Sequence, residues 1–174
     1  MDLKKVIRTV PDFPKKGILF FDITTLIHDA KAFKQVIDEL AERYSKIDFD
    51  YIASAEARGY IFGGALAFAL GKGFIPIRKP GKLPWKTTKA TYEKEYGPDT
   101  LEMHADAVKK GDKVLIVDDL LATGGTPKAM IELVENCGGK VVGLAFLIEL
   151  IGLHGRKKLK GHEVYSMVQF KVKE

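Results

Sequence analysis

An α/β fold built on a parallel sheet with helices on both faces is what this sequence predicts, on three observations. Short, largely apolar runs at Tyr51–Ala55, Phe74–Arg78, Val114–Val117 and Lys140–Glu149 read as buried strands. Helical patterns lie between them: Lys31–Ser45 puts Phe33, Val36, Ile37, Leu40, Ala41 and Tyr44 on one face, and Pro127–Asn136 follows a small-residue loop. The two patterns alternate from residue 31 to residue 149, with crossovers long enough for right-handed βαβ units. Ligands of such sheets bind beyond the carboxyl ends of the strands, which singles out the loops 56–59, 78–84 and 119–126.

The elements follow in order. Asp2 can cap a short helix over Leu3–Thr9, which Pro11 ends. Phe13–Gly17 is a turn, and Ile18–Leu26 an extended segment or loop. Tyr60–Leu70 is apolar nearly all round and belongs deep in the fold. Pro76 marks its strand as irregular or at an edge, and Lys79–Pro84 turns. Trp85–Thr100 lacks periodicity and carries many charges, so it reads as a long surface loop of the kind that serves as a lid, with a strand at Leu101–Ala105 on its far side. Gly138-Gly139 stops the helix before it, and a basic loop at 152–161 leads to a last strand, Glu163–Phe170.

Composition narrows the class. At 174 residues one domain is expected, burying about 70% of its unfolded surface. No repeat or linker divides it, no apolar run spans a bilayer and no secretory signal opens it, so no membrane partner is expected. A single cysteine, Cys137, excludes an internal disulfide and suits a reducing cytoplasm. The formal charge of +5 comes from lysines spread along the chain. The dense run Arg156–Lys160 reads as a solvated turn, and a small anionic substrate suits the mild basic bias better than a nucleic acid. His28, His104, His154 and His162 show no metal-ligand spacing, and neither GxxxxGK[ST] nor GxGxxG occurs.

The chemistry centres on Val114–Pro127. A buried strand ends in Asp118-Asp119, a loop Ala122-Thr123-Gly124-Gly125 follows, and Thr126 and Pro127 suit the N-cap and first position of a helix. Loop N–H groups and the helix terminus make a phosphate cradle, to which the Thr123 and Thr126 hydroxyls can add donors. Ionised Asp118 and Asp119 only accept, so they suit the vicinal hydroxyls of a sugar, at about 1.5–3 kcal/mol for each charge-assisted bond. A diol and a phosphate a few ångströms apart describe a ribose 5-phosphate.

This run closely resembles the 5-phosphoribosyl 1-pyrophosphate (PRPP) motif of type I phosphoribosyltransferases, and its Leu-Leu-Ala-Thr-Gly-Gly-Thr form is most similar to the members that use adenine. The resemblance implies the type I phosphoribosyltransferase fold: a small N-terminal hood at about 1–28, a core over about 29–174 and a lid loop at about 85–100. It implies that Asp118, Asp119, Ala122, Thr123, Gly124, Gly125 and Thr126 hold the ribose and 5′-phosphate of PRPP.

The other loops fit this picture. Glu56-Ala57-Arg58-Gly59 can turn N–H groups and Arg58 toward an anion; it is similar to the family's pyrophosphate loop, where the Arg also approaches the base. Arg78, Lys79 and Lys82 repel one another unless solvated or bound to an anion, and the resemblance turns them, with Arg58 and Gly59, toward pyrophosphate. In Thr91–Gly97 a carboxylate could accept the proton that a purine loses on forming a glycosidic bond; the residues leave Glu93 and Glu95 open. The family's Glu-Tyr-Gly pattern points to Glu95 as the catalytic residue and to Tyr96 as part of the lid. Phe13–Phe20 resembles the hood that binds the base, with Phe20 stacking on adenine and the Leu19 backbone reading its edge. Phe21 departs from the pattern where many members carry Arg, as do Lys16 and Thr25 where Pro occurs.

The expected reaction is adenine plus PRPP giving AMP and pyrophosphate, with Mg²⁺ held mainly by substrate oxygens and water. A homodimer is expected from the family. Two rivals remain in view. A regulator that senses PRPP would need a nucleic-acid-binding module and tends to lose the lid glutamate, whereas this chain starts its hood within about a dozen residues and keeps Glu95. A transferase acting on another purine is disfavoured by the hood and the lid.

Overall fold

The structure is a computed structural model describing residues 1–94 and 97–172. Its centre is an all-parallel five-stranded sheet in the order β4-β3-β7-β8-β9, formed by β3 (Tyr51–Ala55), β4 (Gly73–Ile77), β7 (Lys113–Leu121), β8 (Lys140–Ile151) and β9 (Val164–Lys171). Period-two alternation divides these strands between two cores. Leu115 and Val117 of β7 and Ala145 and Leu147 of β8 join a core that includes Leu26, Val36, Leu40, Phe62 and Leu66. Val114 and Ile116, with Leu144 and Phe146, join the opposite core with Met130, Leu133 and Val134. The continuous apolar runs in the sequence reflect burial on both faces.

The helices obey local rules. Asp29 caps α3 (Ala30–Tyr44) by accepting from the amides of Lys31 and Ala32, and Ala32, Val36, Leu40 and Tyr44 form its buried stripe. Helix α4 (Arg58–Leu70) ends at Gly71, whose φ of 63° is the left-handed conformation of a helix stop. Pro76 sits in β4, an edge strand of the sheet.

Three regions differ from the sequence-based expectation. The first helix, α1 (Leu3–Val6), is shorter than expected, because Arg8–Pro11 (β1) pairs with Leu19–Asp22 (β2) in a two-stranded antiparallel hood. A short helix α2 (Thr24–His28) links that hood to α3. The stretch expected to be a surface loop contains two antiparallel strands, β5 (Thr87–Lys94) and β6 (Gly97–His104), and Ala90, Leu101 and Met103 bury their side chains in the second core. Charges on the outward face concealed this alternation. The basic loop after β8 contains a short 3-10 helix, Gly155–Leu159, and helix α5 spans Gly125–Asn136.

Candidate active site

The acidic pair lies within β7, further inside than a strand end would put it. Asp118 and Asp119 are both buried. Asp118 Oδ1 accepts from the Asp119 amide at 2.9 Å, and a Cβ on Gly59 would come within 2.6 Å of that oxygen, so α4 can start this close only with glycine there. Asp119 Oδ2 lies 2.9 Å from Arg58 Nε as an ion pair, yet it is buried and receives no well-aimed hydrogen bond among the described residues. Burial raises the pKa of both carboxyls; repulsion from Asp119 adds to it at Asp118, while Arg58 opposes it at Asp119. A buried acceptor without a donor is the mark of a site built for one, such as a sugar hydroxyl.

Arg58 is the first residue of α4 and faces two ways. Its ion pair reaches Asp119, and its guanidinium lies 5.4 Å from the centroid of the Phe20 ring. Phe20 packs edge-on against Phe13, with centroids 5.0 Å apart. The hood is thereby set against the acidic pair. Phe21 points to the other face of β2, is buried and lies against Phe170 of β9, so it fastens the hood to the sheet. The departure at this position is a core residue, while Leu19 and Phe20 stay less buried on the hood.

Beyond β7, Ala122, Thr123, Gly124, Gly125 and Thr126 line a cleft of about 430 Å³ with Glu56, Arg58, Gly59, Asp118 and Asp119. Helix α5 begins at Gly125, two residues before the expected start at Pro127. Gly124 occupies the N-cap with a φ of 82° and offers no side-chain cap, which leaves first-turn amides to a ligand. Thr126 is not the cap: its hydroxyl donates to the Tyr92 hydroxyl at 3.0 Å.

The third loop is organised by acids that sequence reasoning passed over. Glu56 accepts from Arg78 Nε and Nη2 at 3.0 and 2.8 Å and from the Lys79 amide at 2.8 Å, and Arg78, followed by that amide, holds the Glu56 carboxyl below its usual range. Lys79 pairs with Asp99 of β6, the Gly81 amide donates to Glu102, and Lys82 is exposed. Arg78, Lys79 and Lys82 flank the cleft without lining it. The mutual repulsion expected of the three cations is therefore relieved by protein carboxylates at Arg78 and Lys79, while Lys82 is exposed.

Tyr92 is a cleft residue that the sequence did not single out. Besides accepting from Thr126 it donates to Asp99 at 3.1 Å, and its ring covers Gly125, so the β5–β6 arm rests on the loop 122–126. Its position before the acidic stretch was the available signal. Glu95 and Tyr96 lie outside the described residues. Among the described residues no three His, Cys, Asp or Glu side chains gather as a metal cage.

Comparison with known proteins agrees with this geometry. The phosphoribosyl transferase domain family matches residues 24–173. An adenine phosphoribosyltransferase of Acetivibrio thermocellus is 58% identical over 171 residues, covering 98% of this chain and 100% of that one. The crystal structure of adenine phosphoribosyltransferase from Thermoanaerobacter pseudethanolicus superposes with a TM-score of 0.95 at 55% identity, covering 97% of this chain and 98% of that one. The Saccharomyces cerevisiae enzyme, solved with an imino-altritol bisphosphate and adenine, gives 0.89 at 43% identity over 95% and 96% of the two chains. Identity at this level over nearly complete lengths, on a shared type I fold, means that the chain belongs to the adenine phosphoribosyltransferases of the phosphoribosyl transferase family.

Proposed function

We propose that the chain transfers the 5-phosphoribosyl group of PRPP to adenine, giving AMP and pyrophosphate in purine salvage. The observation that carries this reading is Arg58, whose one guanidinium meets both the Phe20 ring and Asp119. A base stacked at Phe20 and a sugar bonded at Asp119 would then be neighbours, as a reaction joining them requires.

In this mechanism N9 of adenine forms a bond to C1 of the ribose as the bond from C1 to the pyrophosphate oxygen breaks. The transition state resembles an oxocarbenium ion. Asp118 and Asp119 hold the sugar hydroxyls, and their negative charge favours the cation that develops nearby. The loop 122–126 holds the 5′-phosphate. Arg58, Gly59, Lys79 and Lys82 meet the departing pyrophosphate, and Arg78 joins them by exchanging Glu56 for phosphate oxygens. Glu95 takes the base proton and Tyr96 belongs to the lid that keeps water from the sugar cation. Mg²⁺ held mainly by substrate oxygens and water would neutralise the pyrophosphate together with Arg58, Lys79 and Lys82. The chain acts as one domain with its hood, core and lid.

The test is incubation with PRPP, Mg²⁺ and each purine base in turn. AMP is expected from adenine, with little nucleotide from guanine, hypoxanthine or xanthine. Absence of product with adenine overturns the reading.

The same reading includes a homodimer working in the cytoplasm. The face of α4 away from the sheet carries Ile61, Gly64, Ala65 and Phe68, the last 92% exposed, and an apolar helix face of this kind suits a second copy of the chain. The lone cysteine suits a reducing compartment, and no helix among the described residues is long and apolar enough to cross a membrane. Phe68→Glu is expected to leave the melting temperature nearly unchanged but to convert a species of twice the chain mass into monomer in sedimentation. An unchanged dimer would remove α4 from the interface.

A further inference from the structure

The turn that sequence reads as solvated holds a polar cluster around the buried Glu149, with Arg156 half-exposed beside it. Arg156 Nε and Nη2 donate to the two carboxylate oxygens of Glu149 at 2.7 Å each, a bidentate pair. Nη1 donates to the Val164 carbonyl at 2.7 Å and Nη2 to Ser166 Oγ at 3.1 Å. The Ser166 hydroxyl and Gln169 Nε2 donate to Glu149 Oε2 at 2.6 and 3.1 Å. Arg156 holds the buried Glu149 carboxyl below its usual range, assisted by Ser166, while burial opposes them. The cluster ties the end of β8, the strand β9 and the 3-10 helix together. An ion pair with one half-exposed partner is a weak source of net stability, so its use lies more in fixing one arrangement against others.

What this cluster fixes is one residue away. A Cβ on Gly155 would stand 2.3 Å from the Ala122 carbonyl oxygen, and a Cβ on Gly124 would stand 2.4 Å from the Gly155 carbonyl oxygen. The 3-10 helix and the loop 122–126 thus touch main chain to main chain, with no side chain between them. Leu159, buried in the second core, pins the far end of the 3-10 helix, and Arg156 pins the near end. Alanine, threonine and glycines supply the loop with little packing of its own. Its amides can converge on a phosphate only if something behind them is rigid.

We infer that Arg156 and Glu149 are positioning residues for the 5′-phosphate: by holding Gly155 against Ala122 and Gly124 they set the aim of the loop amides. This inference rests on the reading of 122–126 as the 5′-phosphate loop.

Isothermal titration of AMP and of Mg²⁺-pyrophosphate, with steady-state kinetics, tests it on two variants. Arg156→Lys keeps the charge and loses the fork. Gly155→Ala keeps the ion pair and pushes a methyl group at the Ala122 carbonyl. Both are expected to weaken AMP binding and raise KM for PRPP about tenfold, the loss of roughly one well-aimed hydrogen bond. Pyrophosphate affinity, KM for adenine and kcat should stay within about twofold. A merely structural role predicts a lower melting temperature or a smaller active fraction with unchanged AMP affinity, and that result in a folded variant overturns the inference. So does an equal loss for AMP and pyrophosphate. Should Arg156→Lys fail to fold, Gly155→Ala decides alone. Wild-type protein that binds no AMP would instead overturn the phosphate-loop reading itself.

Discussion

The double variant Asp118→Asn, Asp119→Asn is expected to raise KM for PRPP by at least about a hundredfold without losing stability at neutral pH. Each carboxylate offers a sugar hydroxyl a charge-assisted bond of about 1.5–3 kcal/mol, so losing two corresponds to roughly two to four powers of ten. The stability side follows from burial. Both carboxyls have pKa values raised above the ordinary carboxylate value, chiefly by desolvation, with mutual repulsion adding at Asp118. The folded state then binds more protons than the unfolded one, so these groups stabilise least once the pH has risen through their folded pKa values. Asn carries no charge to bury. The melting temperature of the variant relative to wild type should therefore be higher at pH 7 than near pH 4. Arg58 loses its partner, but its half-exposed guanidinium is reached by water, so little stability goes with it. Kinetics and thermal melts across pH check both halves; an unchanged KM for PRPP would remove the pair from sugar binding.

Glu95→Gln is expected to lower kcat by about 10²–10⁴-fold, the usual contribution of a positioned general base, while KM for PRPP changes little. Gln matches Glu in shape but cannot accept the base proton. Glu93→Gln is the internal control. Glu93 is exposed on β5 opposite Pro98 and should give kcat within about twofold of wild type. Reversal of the two results would move the proton acceptor from Glu95 to Glu93, and normal turnover in both would leave the base proton to water.

Legibility in the sequence followed the range of each interaction. Central strands and helices α3, α4 and α5 could be read because burial on both faces and one-sided packing write local periodicities. Strand β5 escaped because its alternation is masked by Lys89, Thr91 and Glu93 on its outer face. Among site residues, the carboxylates, the glycine loop and Arg58 stand in short stretches whose residue types announce what they can bind. Tyr92 does not, since its importance comes from meeting Thr126, 34 positions away. Arg78 and Glu56 are 22 positions apart, and nothing within either stretch indicates that one neutralises the other.

The order of residues along the chain was enough to establish the alternation of strand and helix and the family resemblance, and it supplied the expectation of a sugar phosphate at the loop after β7. Those properties depend on near neighbours and on side-chain type. Folding alone determined which cations are paired with protein carboxylates, which face of the hood Phe21 takes, how deeply Asp118 and Asp119 are buried, and what stands behind the loop 122–126. Each of these is a contact between segments remote in sequence, and a charge or an aromatic ring has no fixed role until its distant partner and its solvent exposure are known.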